Sequence, residues 1–162
     1  MTRPIVSTIL ILVIMLPLVS GALAQEPAAP GPWRPRNDGF AGGVNLHFPN
    51  QTFGTRTDTG YGLTGFYVRP LIPLITLTGS VGFSHFNGEG DLPAVDLWLF
   101  TGGLRFEFGS FYMGGEGGYF SKIDEGGFVP SMGLHIKRFE VSGRWKASGS
   151  STWLTLRVGY YF

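Results

Sequence analysis

His85 is the side chain with the clearest capacity for chemistry. An imidazole within hydrogen-bond reach of a hydroxyl is the pairing that activates a serine nucleophile, and Ser84-His85-Phe86-Asn87 sets the two side by side. In an extended chain adjacent side chains point to opposite faces, so Ser84 is turned away from His85 and the nucleophile is lost. Gly88-Glu89-Gly90-Asp91 offers two carboxylates to a hard cation, but a calcium site draws on roughly six to eight oxygens, and a solvated acidic loop accounts for this spacing. Gly114-Gly115-Glu116-Gly117-Gly118 does not open a helix after a strand, as a phosphate-cradling loop must. Its glycines relieve crowding or permit curvature inside a strand. No catalytic residue, metal ligand or cofactor is predicted.

A second set of charged residues shares one parity along alternating segments: Arg105, Glu107, Glu116, His135, Glu140, Arg144 and Arg157. A turn at Gly109-Ser110 sets Glu116 opposite Gly103 and diagonal to Arg105, and a turn at Lys137-Arg138 sets His135 opposite Glu140. Diagonal neighbours on paired strands are within reach of long side chains. An internal network centred on Arg105–Glu116 and Glu140–Arg157 is therefore expected, its role being to satisfy charges that are costly when buried alone. A narrow ion path is the alternative. Leu97, Leu99, Trp153 and Tyr161 share the inward parity and compete for the same space.

Eight strands must position these residues: about Gly39–Phe48, Thr59–Arg69, Leu74–Phe86, Val95–Phe108, Phe111–Ser121, Val129–Lys137, Phe139–Lys146 and Thr152–Phe162. Apolar and polar residues alternate along them with the two-residue period of a strand that has one apolar face. Ile75, Leu77, Val81 and Phe83 alternate with Thr76, Thr78, Ser80 and Ser84; Trp98, Phe100, Leu104, Phe106 and Phe108 alternate with Thr101, Arg105 and Glu107. The second strand leaves its parity open. Strands of about ten residues rise roughly 33 Å and, tilted, cover an apolar band of about 25 Å. Polar faces cannot meet hydrocarbon and open edges cannot exist in it, so the pattern predicts an all-β, closed, antiparallel, up-and-down transmembrane barrel. Connections after strands two, four and six read as short, and those after one, three, five and seven as longer, the last spanning Ala147 to Ser151. Phe106, Phe108, Phe111, Tyr160 and Phe162 would gather at the short-turn edge. Phe48, Trp98, Tyr119 and Trp145 would lie nearer the other.

Three segments organise the chain. Residues 1–24 carry Arg3, an apolar run from Ile5 to Val19, and Ala22-Leu23-Ala24, the layout of a cleaved signal peptide. Residues 25–38 hold Pro27, Pro30, Pro32 and Pro35 and read as an extended periplasmic linker. Residues 39–162 form the barrel. Without Arg3, eleven Lys and Arg balance eleven Asp and Glu, which argues against a nucleic-acid partner. The absence of Cys leaves no disulfide framework and no thiol for a lipid anchor.

The final strand alternates Leu154, Leu156, Val158, Tyr160 and Phe162 with Thr155, Arg157, Gly159 and Tyr161. In Leu156, Val158, Tyr160 and Phe162 it resembles the C-terminal signal read by the barrel assembly machinery. With the strand pattern, the barrel segment resembles the small eight-stranded outer-membrane barrels that include the opacity-type proteins and the membrane domain of OmpA-like proteins. That resemblance implies a Gram-negative outer-membrane location and a structural or surface-interaction role. It also implies outer-membrane lipid and lipopolysaccharide, the assembly machinery and periplasmic chaperones as partners, and a monomer. A porin-like narrow conductance is a second reading. A lipid A-modifying enzyme is a third: the lipid A deacylases of similar architecture use a His and a Ser two positions apart, and Asn87 stands where that Ser would be. Lipopolysaccharide contacts are expected at Arg56, Lys122 and Lys146.

Overall fold

The computed structural model describes residues 39–50, 55–121, 125–149 and 151–162. The expected signal peptide, the expected linker and Lys122 lie outside the described residues. Eight strands follow one another: β1 (Gly39–Asn50), β2 (Thr57–Ile72), β3 (Ile75–Gly88), β4 (Val95–Phe108), β5 (Phe111–Phe120), β6 (Glu125–Ile136), β7 (Phe139–Ser148) and β8 (Ser151–Tyr161). Each pairs antiparallel with the next, and β8 returns to β1, closing an up-and-down barrel. The seam runs from Ala41↔Tyr161 to Asn50↔Thr152, so no sheet edge is left unpaired there.

The walls are inside-out relative to a water-soluble barrel. Large apolar side chains cover the outer face of every strand; Phe40, Leu63 and Trp98 are 71%, 64% and 53% exposed. The inner face carries buried Asn45, His47, Thr64, Thr76, Thr78, Arg105, Glu116, Glu140, Arg144 and Arg157. The parity left open for β2 is settled: Tyr61, Leu63 and Tyr67 face out, and Thr64, Phe66 and Val68 face in. The aromatics expected at the two rims all lie on the outer wall. Phe108 and Phe111 flank the Gly109-Ser110 turn with ring centroids 6.5 Å apart, and Tyr160 contacts both Phe139 and Phe162.

Most strand ends differ from the sequence expectation by one or two residues, and three differences have a readable cause. β6 begins at Glu125, not Val129: Gly126 and Gly127 offer no side-chain periodicity to read, yet they pair with Tyr119 and Gly118. β2 continues past Pro70 to Ile72 through a register irregularity, which lets the chain absorb a residue with no amide hydrogen. The long connection expected between β7 and β8 is replaced by two residues, 149 and 150, because Ser148 pairs directly with Ser151. Small polar residues suggested a loop there, but with both facing neighbours in register they serve as strand ends. Gly149 adopts φ 52°, the left-handed conformation glycine takes without steric cost. Lys137 does the same at φ 58° in the β6–β7 turn, where a side chain must bear that cost.

Candidate functional site

The lumen is filled in three layers. At the end of the longer connections, Phe86, Leu97, Leu99, Phe120, Val129 and Trp153 form an apolar cluster. Trp153 is its hub, meeting Phe86 and Phe120 edge-on at 5.8 and 5.5 Å between ring centroids. At the short-turn end Ala41, Phe66, Val68 and Tyr161 form a second apolar cluster. Charged side chains occupy the space between.

Glu140 is the centre of that polar layer. Its Oε1 accepts from Arg157 Nη2 at 2.5 Å and from the Tyr112 hydroxyl at 2.8 Å. Its Oε2 accepts from Arg105 Nη1 at 2.8 Å and from the Tyr161 hydroxyl at 2.7 Å. Each oxygen thus holds one guanidinium and one phenol, the coordination a buried carboxylate needs to offset its lost hydration. The cations are also braced by rings. Arg157 Cζ lies 4.1 Å from the Phe66 centroid, and Arg105 Cζ lies 4.4 Å from that of Tyr112, a contact range in which ring quadrupoles attract cations. His135, registered opposite Glu140 as expected, places Nε2 3.3 Å from Glu107 Oε2 and Nδ1 4.0 Å from Glu140 Oε2.

Glu116 is the second centre. Its Oε2 accepts from Arg144 Nη2 at 2.5 Å, from Thr101 Oγ1, and from Ser80 Oγ at 3.4 Å. This corrects one expected pair. Glu116 does stand opposite Gly103, diagonal to Arg105, but Arg105 bonds across the lumen to Glu140 and Glu116 takes Arg144. Inside so narrow a cylinder, strands that are not neighbours lie within the reach of an arginine, and diagonal register no longer selects the partner. Gly114, registered opposite Arg105, leaves room for the stem: a Cβ there would sit 3.0 Å from Arg105 Cγ. The Glu140–Arg157 pair forms as expected.

Sequence reasoning missed four contributors. Tyr112 is fully buried and bonded to Glu140; its parity with Glu116 on β5 was the available signal. Thr101 and Ser80 complete the Glu116 site. His47, buried, places Nδ1 2.9 Å from Thr155 Oγ1 and stacks on Phe86. Lys146 corrects another expectation. It is inside the barrel and 4% exposed, as its parity with Arg144 on β7 requires, and so does not contact lipopolysaccharide headgroups. Arg56 is exposed.

His85 lies on the outer wall near the loop end of β3. Its Nδ1 is 2.6 Å from Asp96 Oδ1 on β4, and its ring contacts Tyr61 at 5.1 Å. Ser84 faces inward and is buried, as the pleat dictates. The Asn87 side chain instead donates to the Thr59 carbonyl. The outer wall therefore presents an imidazole and an acid with no hydroxyl nucleophile on the same strand face. Of the four C-terminal residues picked from sequence, Leu156, Val158, Tyr160 and Phe162 all lie on the outer wall, with Arg157 between them buried.

No family model matches the sequence, and no curated protein matches it. Solved structures similar to the chain include the KdgM porin (10% identity, TM-score 0.38, 75% of this chain and 99% of that chain). They also include the Yersinia pestis outer membrane protein Ail in a phospholipid bilayer nanodisc (15% identity, TM-score 0.44, 77% of this chain and 100% of that chain).

Proposed function

We propose that this chain is an integral outer-membrane β-barrel with a structural or surface-interaction role. The observation that carries the reading is the apolar outer wall. A soluble monomer rarely exposes a contiguous apolar patch beyond a few hundred Å², whereas here all eight strands turn large apolar side chains outward. Lipid is the environment that such a wall fits, and closure satisfies the backbone within it. Residues 1–24 act as the export signal. Leu156, Val158, Tyr160 and Phe162 act as the recognition strand for the assembly machinery, with periplasmic chaperones escorting the unfolded chain. Lipid and lipopolysaccharide surround the folded monomer.

The filled lumen favours this role over conduction. Two apolar clusters and the Glu140 layer place bulky side chains along the lumen. The decisive experiment combines membrane fractionation with a heat-modifiability gel. The chain should fractionate with the outer membrane and migrate faster unheated than boiled. Recovery as a detergent-free soluble monomer would falsify the reading. Planar bilayers containing the purified chain should give flat current traces, and discrete steps would favour a pore. Lipid A mass spectra should be the same with and without the chain; a changed acylation pattern would point instead to chemistry at His85 and Asp96.

A further inference from the structure

The lumen carries more positive than negative side chains. Among the described residues Arg105, Arg144, Lys146 and Arg157 are buried alongside Glu107, Glu116 and Glu140. Glu140 binds Arg105 and Arg157, Glu116 binds Arg144, and Glu107 faces His135. No ion pair among the described residues reaches Lys146. Its ammonium instead lies 5.7 Å from the centroid of the Trp153 ring, its registered neighbour on β8. Arg144 precedes it by two residues on the same inner face of β7 and is itself buried. The next row along the walls is Arg144, Thr155 and His47, in register across β7, β8 and β1. Arg144 spends Nη2 on Glu116 and keeps Nε without a partner, and His47 Nε2 has none either.

A buried ammonium beside a guanidinium is unfavourable without a counter-charge, and a ring face at that distance compensates only in part. We propose that Lys146 and Arg144 bind a small inorganic anion of halide size in the lumen, beneath the Trp153 cap. Size follows from the cap: Trp153, Phe86 and Phe120 are all fully buried, so a large organic anion has no entrance. Lys146 supplies the charge and Arg144 its free Nε–H. The site is a binding site inside the wall and does not depend on what the barrel does at the cell surface.

Bromide is the probe. The full mature chain, folded in detergent, is unfolded in sodium bromide and in sodium gluconate at equal ionic strength, gluconate being too large to enter. With bromide at ten times its dissociation constant, the folded-to-unfolded ratio should rise about tenfold. Lys146→Met, which keeps the length of the stem, should remove that difference while the barrel still shows its heat-modifiable shift. Crystals grown in bromide should show an anomalous peak against Lys146 Nζ. Identical unfolding of the natural chain in the two salts overturns the proposal, as does a Lys146→Met barrel that responds to bromide like the natural chain. Should Lys146→Met fail to fold, the salt comparison on the natural chain and the anomalous map still decide it.

Discussion

Arg157 reaches Glu140 across one diagonal step of the β7–β8 ladder, its Nη2 2.5 Å from Oε1, and so leaves the other oxygen of the carboxylate free to take Arg105 from the far wall. One acid thereby pairs with two buried bases. Loss of a partner from a buried pair is expensive because the survivor keeps its desolvation cost, and here two survivors are left behind.

Glu140→Ala should therefore destabilise the barrel by about 3–5 kcal/mol. The measurement is equilibrium unfolding in urea with the chain in detergent or lipid. Glu140→Gln should cost less than Ala, since an amide oxygen still accepts from one arginine. A midpoint unmoved in both variants would show that the arginines find other partners.

Partner choice at Glu116 can be read from two double-mutant cycles. Glu116→Ala with Arg144→Met should show a coupling of about 1–3 kcal/mol, as residues in one buried pair do. Glu116→Ala with Arg105→Met should be closer to additive, because Arg105 belongs to Glu140. The reverse ranking would restore the diagonal pairing that the turn at Gly109-Ser110 suggests from sequence.

That ranking also marks how far the sequence can be read. Alternation along β3, β4 and β8 gives strand, face and closure together, because water and lipid impose a strict period of two. Register follows wherever a two-residue turn fixes it, as with His135 opposite Glu140. Side-chain partnership does not follow. The interior of a small cylinder is a three-dimensional problem in which Arg105 chooses between a near diagonal acid and an acid on the opposite wall, and the acid it takes is the one that also holds Tyr112 and Tyr161. Lys146 shows the same gap from another side: its parity was legible and pointed inward, yet a lysine two residues from a strand end invites an assignment to the surface. Gly126 and Gly127 carry no pattern at all, so the start of β6 was invisible.

Trp153→Ala should remove the hub of the loop-end cluster and cost about 3–5 kcal/mol, the usual loss for truncating a large buried aromatic. Planar bilayers containing this variant should nevertheless stay silent. The Glu140 layer and the Phe66–Tyr161 contact, 5.5 Å between centroids, still fill the lumen below. Current steps in Trp153→Ala alone would show that the cap is the sole seal.

Two glycines offer a matched comparison of inner and outer walls. A Cβ at Gly159 would lie 2.7 Å from Phe66 Cζ, and one at Gly117 would meet nothing within 4 Å. Gly159→Ala should cost about 1–3 kcal/mol by overpacking, whereas Gly117→Ala should stay within about 0.5 kcal/mol of the natural chain. Unfolding midpoints of the two variants, measured side by side, check this. Equal losses would mean that backbone freedom rather than space governs both positions.

The groups on other strands that hydrogen-bond to Glu140 come from β4, β5 and β8, while Glu140 itself stands on β7. Those strands are thus tied through the middle of the molecule as well as around its circumference. In amide hydrogen exchange they should open as one unit rather than fray singly, with β2 and β3, which send no side chain to that carboxylate, free to open on their own schedule.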